Sequence, residues 1–344
     1  MPTPRTVNVP PLISIALPIW KRLEYLPHIL KVIEGQDYPD IELIVSDNGE
    51  NGTKVHDLVK RHYSRPFRFR QNPETVCISE HFNQILEVAS GEYFALTCDD
   101  DEISSNYIST LVQQLEDHPE ASIAYSRQEI MNEAGVVLRK TKEFPARILS
   151  GSEFVRGLWQ TFEFGFEAIG TFVARTAKVI ERGGYPDFVR GSGIDNALVI
   201  KLCLDSMVAL SPECVWRWRV HESGYGWAMS PKGLATAHIQ FMRFLDKDPT
   251  IRKFAASHSA EWRELKGALV ENEWQTYLWR WRDIYKGRIS RFEWVRAAFA
   301  MPLIVPYYRK VASVLLREAK AETMRRFGIH DPATKEVDYF KRDA

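Results

Sequence analysis

The stretch "ALTCDDDEIS", Ala95 to Ser104, ends an apolar run in three consecutive carboxylates, Asp99, Asp100 and Asp101. Like charges side by side repel one another, and nothing about a strand end requires them. Adjacent aspartates on a tight turn suit a hard divalent cation, which takes few carboxylates and completes its shell with other oxygen ligands and water. The competing reading is an acidic loop that caps the next helix at Asp101 or Ser104, for which one side chain is enough. Three more residues have types suited to chemistry. Asp47 ends "IELIVSD" and opens the turn-forming "DNGENG". Asp195 precedes "NALVIKLCL", where a carboxylate is either a proton acceptor or a plain helix cap. His221 closes the alternating "VWRWRVH", as a ligand or as a structural histidine.

These residues need a frame. "LISIAL" (Leu12–Leu17) is a short apolar run; "LEYLPHILKVIEGQ" (Leu23–Gln36) has helical spacing; "IELIVSDN" (Ile41–Asn48) reads as a second buried strand. A helix over Lys54–Tyr63, a strand over Phe67–Arg70, a helix over Ser79–Ala89 and a strand over Tyr93–Cys98 follow. Such alternation favours a mostly parallel sheet with helices on both faces, whose ligands sit beyond the carboxyl ends of the strands. Asp47 and Asp99–Asp101 both fall there. From Ala121 to His221 the pattern is mixed: "ASIAYSRQEI" and "CVWRWRVH" read as strands, "NALVIKLCL" as a helix, and "GSEFVRGLWQ" as a helix with Ser152 as its cap. From Pro231 onward the chain reads as helical.

With 344 residues there is room for a large core, and the formal net charge of zero gives no pointer to nucleic acid. Cys77, Cys98, Cys203 and Cys214 lack metal-ligand spacing and read as reduced thiols of a cytosolic protein. The N-terminus lacks the build of a signal peptide, and the longest low-charge run, Ala297 to Tyr308, is short of the ~20 residues that span a bilayer. A soluble or peripheral protein is expected. Neither GxGxxG nor a P-loop occurs.

"ISIALPIWKRLEYLPHILKVIEGQDYPDIELIVSDNGENGT", "NQILEVASGEYFALTCDDDEIS", "GIDNALVIKLC" and "WRVHESGYG", in that order, resemble family 2 glycosyltransferases. The likeness covers roughly residues 12 to 228. It implies an α/β fold of GT-A type, a Rossmann-like mixed sheet flanked by helices, with a C-terminal helical extension outside the likeness. The implied division is a GT-A domain over 1–228, with a nucleotide-sugar half near 12–120 and an acceptor half near 121–228, followed by a helical region over 229–344. The implied chemistry is inverting transfer of a sugar from a nucleotide diphosphate donor, with Mn²⁺ or Mg²⁺, to a hydroxyl of a glycan or lipid-linked acceptor.

By this resemblance Pro18, Trp20 and Arg22 line the nucleotide, Asp47 reads the base (commonly uracil, hence UDP), and Asn83 and Gly91 lead into the acidic motif. Two registers are open: with Cys98 in place of the usual first aspartate, Asp100 holds the metal; with a shorter acidic pair, Asp99 holds the ribose beside Asp100. Asp101 serves through water in either. Ile194 stands where glutamate is common, but the aspartate assigned as base is retained as Asp195. His221 falls near the metal or diphosphate, and "HESGYGWAMS" reads as a flap whose Tyr225 and Trp227 stack on sugar or base. Arg70 reaches the base or a phosphate, or is simply solvated. Trp159, Phe162 and Phe164 lie where the acceptor half is expected, as sugar platforms or as core.

Arg280 to Ile329 carries twelve Lys/Arg against four Asp/Glu with interleaved aromatics. This suits a helix at a membrane surface, peripheral at the inner face of the plasma membrane, or a packing domain with a basic outer face. A non-catalytic nucleotide-sugar-binding or scaffold subunit is the alternative function, resting on Cys98 and Ile194. A sugar-phosphate nucleotidyltransferase ranks lower, since "LPIWKR" replaces the Gly-rich loop of that class.

Overall fold

The computed structural model describes residues 10–165, 170–221 and 231–285, all within one compact unit. Its first part is a parallel block. β1 (Ile13–Ile19), β2 (Ile41–Asp47), β3 (Phe67–Gln71) and β4 (Tyr93–Leu96) lie in the order β3-β2-β1-β4. Both faces of β1 are covered, so "ISIALPI" is apolar almost throughout rather than alternating. In register, Ile19 stands opposite Asp47, and the ends of β1, β2 and β4 share one edge.

Pro18 is tolerated inside β1 for a specific reason. The Ala16 carbonyl accepts Thr97 N–H on the β4 side, and the Ile19 carbonyl accepts Asn48 N–H on the β2 side. Alternation therefore points the N–H that Pro18 lacks toward β4, beyond its last paired residue.

The crossover helices are α1 (Leu26–Glu34), α2 (Lys54–His62) and α3 (Ile78–Leu86). α1 buries Leu26, Ile29, Leu30 and Ile33, one stripe at helical spacing. It begins at Leu26, not at Leu23 as the spacing suggests, because Pro27 fits only the first turn. Gly91, before β4, has a backbone reason: a Cβ there would lie 2.4 Å from Ser14 N.

The second part comprises β5 (Glu102–Ile103), α4 (Tyr107–Asp117), β6 (Ala121–Met131), β7 (Val137–Lys140), β8 (Arg147–Ser150), α5 (Gly151–Trp159), β9 (Phe172–Arg175), α6 (Thr176–Glu181), α7 (Ile194–Cys203) and β10 (Met207–Arg219). The sheet continues β4-β9-β6-β10-β5, with β9 antiparallel to both neighbours and β6 parallel to β10. The cap of α5 is Ser150, in a capping box with Glu153, not Ser152. Ser152 instead donates to Glu261 at 2.5 Å, joining α5 to the C-terminal helices.

Those helices are α8 (Pro231–Lys247), α9 (Pro249–Ser257) and α10 (Ser259–Tyr285). Phe241 and Phe244 of α8 pack on Phe188, at the entry to the loop before α7. Among the described residues no helix is long and apolar enough to cross a membrane. The basic segment from residue 286 onward lies outside the described residues, as do Tyr225 and Trp227.

Candidate active site

After β4 the chain turns at Cys98–Asp101, with Asp101 N–H toward the Cys98 carbonyl, then re-enters the sheet as β5 against β10. The turn is thus fastened at both ends. The capping reading does not survive. α4 starts only at Tyr107 with Asn106 as its N-cap, and Ser104 Oγ accepts Val215 N–H at 3.0 Å. Asp101 accepts Arg219 N–H at 3.2 Å.

Asp99 and Asp101 are buried, Asp101 almost completely, Asp100 is partly exposed, and the charges around them come from β1's exit and β10's end. Arg22 Nη2 donates to Asp99 Oδ1 at 2.9 Å and to Asp100 Oδ2 at 2.5 Å. Arg22 Nη1 and Asp100 Oδ2 each lie 2.9 Å from His221 Nε2, which accepts from the arginine when bare and donates to the aspartate when protonated. Arg219 braces the turn from beneath, donating to the Asp100 carbonyl at 2.8 Å, to Glu102 at 2.9 Å and to the Glu133 carbonyl at 2.9 Å. Tyr25 fills the space between, its ring 5.0 Å from the Arg219 guanidinium and 5.5 Å from that of Arg22.

The electrostatics follow from this crowding. Burial, then the charge on Asp100, pushes Asp99 up to about 6. Burial and Asp100 push Asp101 well above the carboxylate range. Asp100 goes the other way: burial raises it, but His221 and Arg22 outweigh burial and hold it low. Burial also disfavours the charged form of Arg22, and Asp99 and Asp100 overcome that to raise it. Asp100 is thus the one carboxylate of the three whose charged form its neighbours favour.

Across β1 lies Asp47, fully buried. Adjacent parallel strands are spaced about 5 Å apart, so the ends of β2 and β4 stand roughly 10 Å from each other. Asn51 Nδ2 and Gln71 Nε2 donate to the Asp47 carboxylate at 2.8 and 2.9 Å. Burial nevertheless raises its pKa, the two amides only partly opposing it. The loop that follows turns through Gly49 (φ 90) and Glu50 (φ 71), and Asn48 holds it by accepting from Val76 N–H and from Asn72. Arg70 donates to Gln84 at 2.9 Å and to Asn72 at 3.3 Å, one bond removed from that loop. Trp20 is 38% exposed at the mouth of this edge, with Lys21 Nζ 4.8 Å from its ring.

Asp195 lies in the first turn of α7, half-buried; the N-cap is Gly193 (φ 80), so Asp195 is not the cap. Its neighbour Tyr185 is buried, and burial followed by the charges of Asp195 and Cys98 raises its hydroxyl far above the usual value. Asn83 places Tyr185: its carboxamide donates to the Tyr185 carbonyl and accepts Tyr185 N–H, both at 2.8 Å. Asn83 is thus engaged with the main chain of this loop rather than grouped with Arg22 and the carboxylates. Tyr185 and Asn83 also line a surface groove of about 440 Å³ with Cys77, Glu80 and Asp187. Trp159 and Phe164 are core, Phe164 packing between Phe144 and Phe154.

Whether these residues fit a divalent ion is answered by their atoms. Cys98, Asp100 and Asp101 each offer a ligand atom within 4.8 Å of the others, a set with two hard carboxylate oxygens. The donor set fits. The sequence reading missed Arg219, Tyr25 and Tyr185. A signal for the first exists: in "WRWRVH", period-two alternation puts Arg217 and Arg219 on the face of His221.

The layered mixed sheet with its acidic strand-end edge is that of GT-A glycosyltransferases. The Staphylococcus aureus TarS 1-349 structure in complex with UDP-GlcNAc superposes with a TM-score of 0.62 at 15% identity, covering 83% of this chain and 79% of that one. The mannosyltransferase PcManGT from Pyrobaculum calidifontis, in complex with GDP-Man and Mn²⁺, gives a TM-score of 0.51 at 14% identity, covering 94% and 89%. Residues 14–182, just under half of the chain, match the model described as Glycosyl transferase family 2. A Campylobacter jejuni protein, the GalNAc(5)-diNAcBac-PP-undecaprenol beta-1,3-glucosyltransferase, is 34% identical over 113 residues, 30% of this chain. That aligned stretch spans 34% of the relative's length.

Proposed function

We propose that the protein is an inverting, divalent-metal-dependent glycosyltransferase that moves a sugar from a nucleoside diphosphate, UDP by preference, to a hydroxyl of a glycan or lipid-linked saccharide. The observation that supports this most is the pairing, across β1, of a buried Asp47 presented to neutral donors with a largely buried acidic turn. The first suits the N–H and hydroxyl groups of a nucleoside; the second suits a cation beside a diphosphate. The neighbours bound to UDP-GlcNAc and to GDP-Man with Mn²⁺ support the donor class, and the undecaprenol-linked substrate in the relative's name supports the acceptor class.

In this reading Asp100, Asp101 and His221 hold the ion. When bound, it neutralises the charge that develops on the departing diphosphate. Arg22 lies beside it and adds a guanidinium, a planar fork suited to phosphate oxygens. Asp195 accepts the proton of the attacking hydroxyl, and one such base suffices for single-displacement transfer. Asp47 reads the base, Trp20 covers it and Asp99 takes the ribose. A peripheral association with the membrane through the basic C-terminal segment belongs to the same proposal.

The test is nucleotide release from UDP-, GDP- and dTDP-sugars with a lipid-linked saccharide acceptor, with NMR of the product to read the anomeric configuration. Wild type is expected to release UDP with inversion, and Asp195→Asn to bind donor normally while losing about 10³-fold or more in turnover. Full turnover by Asp195→Asn would remove the assigned base.

A further inference from the structure

The tip of Arg22 sits where the acidic turn would otherwise hold its ion. Its Nη2 reaches Asp99 and Asp100, and its Nη1 reaches His221, so one guanidinium engages three side chains of the site. The Asp100 Oδ2 it contacts is also the oxygen nearest His221. Two like-charged cations do not share one carboxylate oxygen at contact distance without strong repulsion. A divalent ion seated on that Oδ2 therefore requires Arg22 to leave. Its means of leaving are visible. The side chain is 20% exposed, it is carried on the irregular segment between β1 and α1, and it is not locked by a bidentate pair to a single acid.

A second observation indicates where it goes. Arg22 Nε is buried and finds no hydrogen-bond partner among the described residues. A buried N–H without an acceptor is a costly state that an incoming anion relieves. Guanidinium forks match phosphate oxygens two at a time. Arg22 follows the end of β1, beside the β2 end that carries Asp47, where a bound nucleoside diphosphate would bring those oxygens.

We infer that Arg22 is the resident counter-cation of the acidic turn: it holds Asp99, Asp100 and His221 in place while the site is empty, is displaced by the divalent ion, and then binds the donor diphosphate. This rests on the function proposed above and adds an order to it. Free metal binds weakly because it must evict Arg22 into water. Metal together with nucleotide binds well because the evicted guanidinium gains phosphate oxygens. Arg22 thus couples the two ligands, and the coupling is reciprocal.

The experiment measures Mn²⁺ binding alone, by EPR of the free ion or by calorimetry, and then UDP binding at saturating Mn²⁺, in wild type, Arg22→Ala, Arg22→Gln and Arg22→Lys, with thermal melts to establish folding. Arg22→Ala and Arg22→Gln are expected to bind Mn²⁺ alone about tenfold or more tighter than wild type, and UDP with Mn²⁺ about tenfold or more weaker. Arg22→Lys, which keeps the charge, is expected to stay near wild type for Mn²⁺ alone. Opposite signs for the two ligands are the signature, since a merely structural loss would weaken both. Unchanged or weaker Mn²⁺ binding in Arg22→Ala and Arg22→Gln would overturn the exchange while UDP binding in wild type still supported the donor site. Absence of UDP binding in wild type would overturn the functional reading itself.

Discussion

Asp47 and the Cys98–Asp101 turn are two acidic sites on opposite sides of β1, and the protein treats them in opposite ways. Asp47 is surrounded by neutral amides, and among the described residues no cation pairs with it. The turn concentrates three carboxylates and answers them with Arg22, Arg219 and His221. A carboxylate dressed in neutral donors is poised to accept hydrogen bonds from a neutral partner such as a nucleobase. A cluster balanced by a movable arginine is poised to exchange one cation for another. Under the proposed function, the division between reading the base and carrying the charge of the leaving group follows from what surrounds each acid, since the acids themselves are chemically alike.

Breaking the charged side should have the largest effect. Asp100→Asn removes the carboxylate whose charged form its neighbours favour and is expected to cost about 10³-fold or more in transfer rate, read from initial velocities, with little change in the melting temperature. Arg219→Met attacks the brace instead. It takes one donor away from Glu102 and from each of three main-chain carbonyls and is expected to lower stability by about 3 kcal/mol, seen in denaturant unfolding.

On the neutral side, Asp47→Asn keeps size and loses charge. It should raise the donor KM by roughly 10–100-fold while leaving Mn²⁺ affinity alone, which calorimetry with each ligand separates. The smallest effect comes from Glu42, at the far end of β2, where no ligand is expected. Burial raises its pKa, but hydrogen bonds from Ser14, Ser90 and Arg68 outweigh burial and bring it down to about 2 from an ordinary 4.5. A depressed carboxylate stabilises the fold above its unfolded pKa, and that stability disappears as pH falls from 4.5 toward 2. Glu42→Gln should cost about 1 kcal/mol at neutral pH and flatten the stability profile over that acid range, without altering nucleotide binding.

The donor half was largely legible because its evidence is local. Apolar runs such as "ISIAL" and "ELIV" mark strands buried on both faces, and the acids that follow them fall by topology at one edge. Errors arose where a nearby residue competed. Leu23 packs on the core without being helical because Pro27 limits the helix start, and Ser152 looked like a cap although the capping box belongs to Ser150. What stayed hidden depends on contacts between distant segments. Arg219 meets Asp100 across more than a hundred residues, and Tyr185 is aimed by Asn83 from another helix. At Trp159 and Phe164 the aromatic composition left a sugar platform and core packing both open, and burial decides for core.

Calorimetric titration of UDP and GDP into wild type and Asp100→Asn, each with and without Mn²⁺, tests the two-sided site most directly. Mn²⁺ is expected to tighten nucleotide binding by about tenfold or more in wild type and to do nothing in Asp100→Asn, leaving a weak, metal-independent affinity supplied from the Asp47 side. Equal affinities with and without Mn²⁺ in wild type would contradict the assignment of the acidic turn to a cation and a diphosphate.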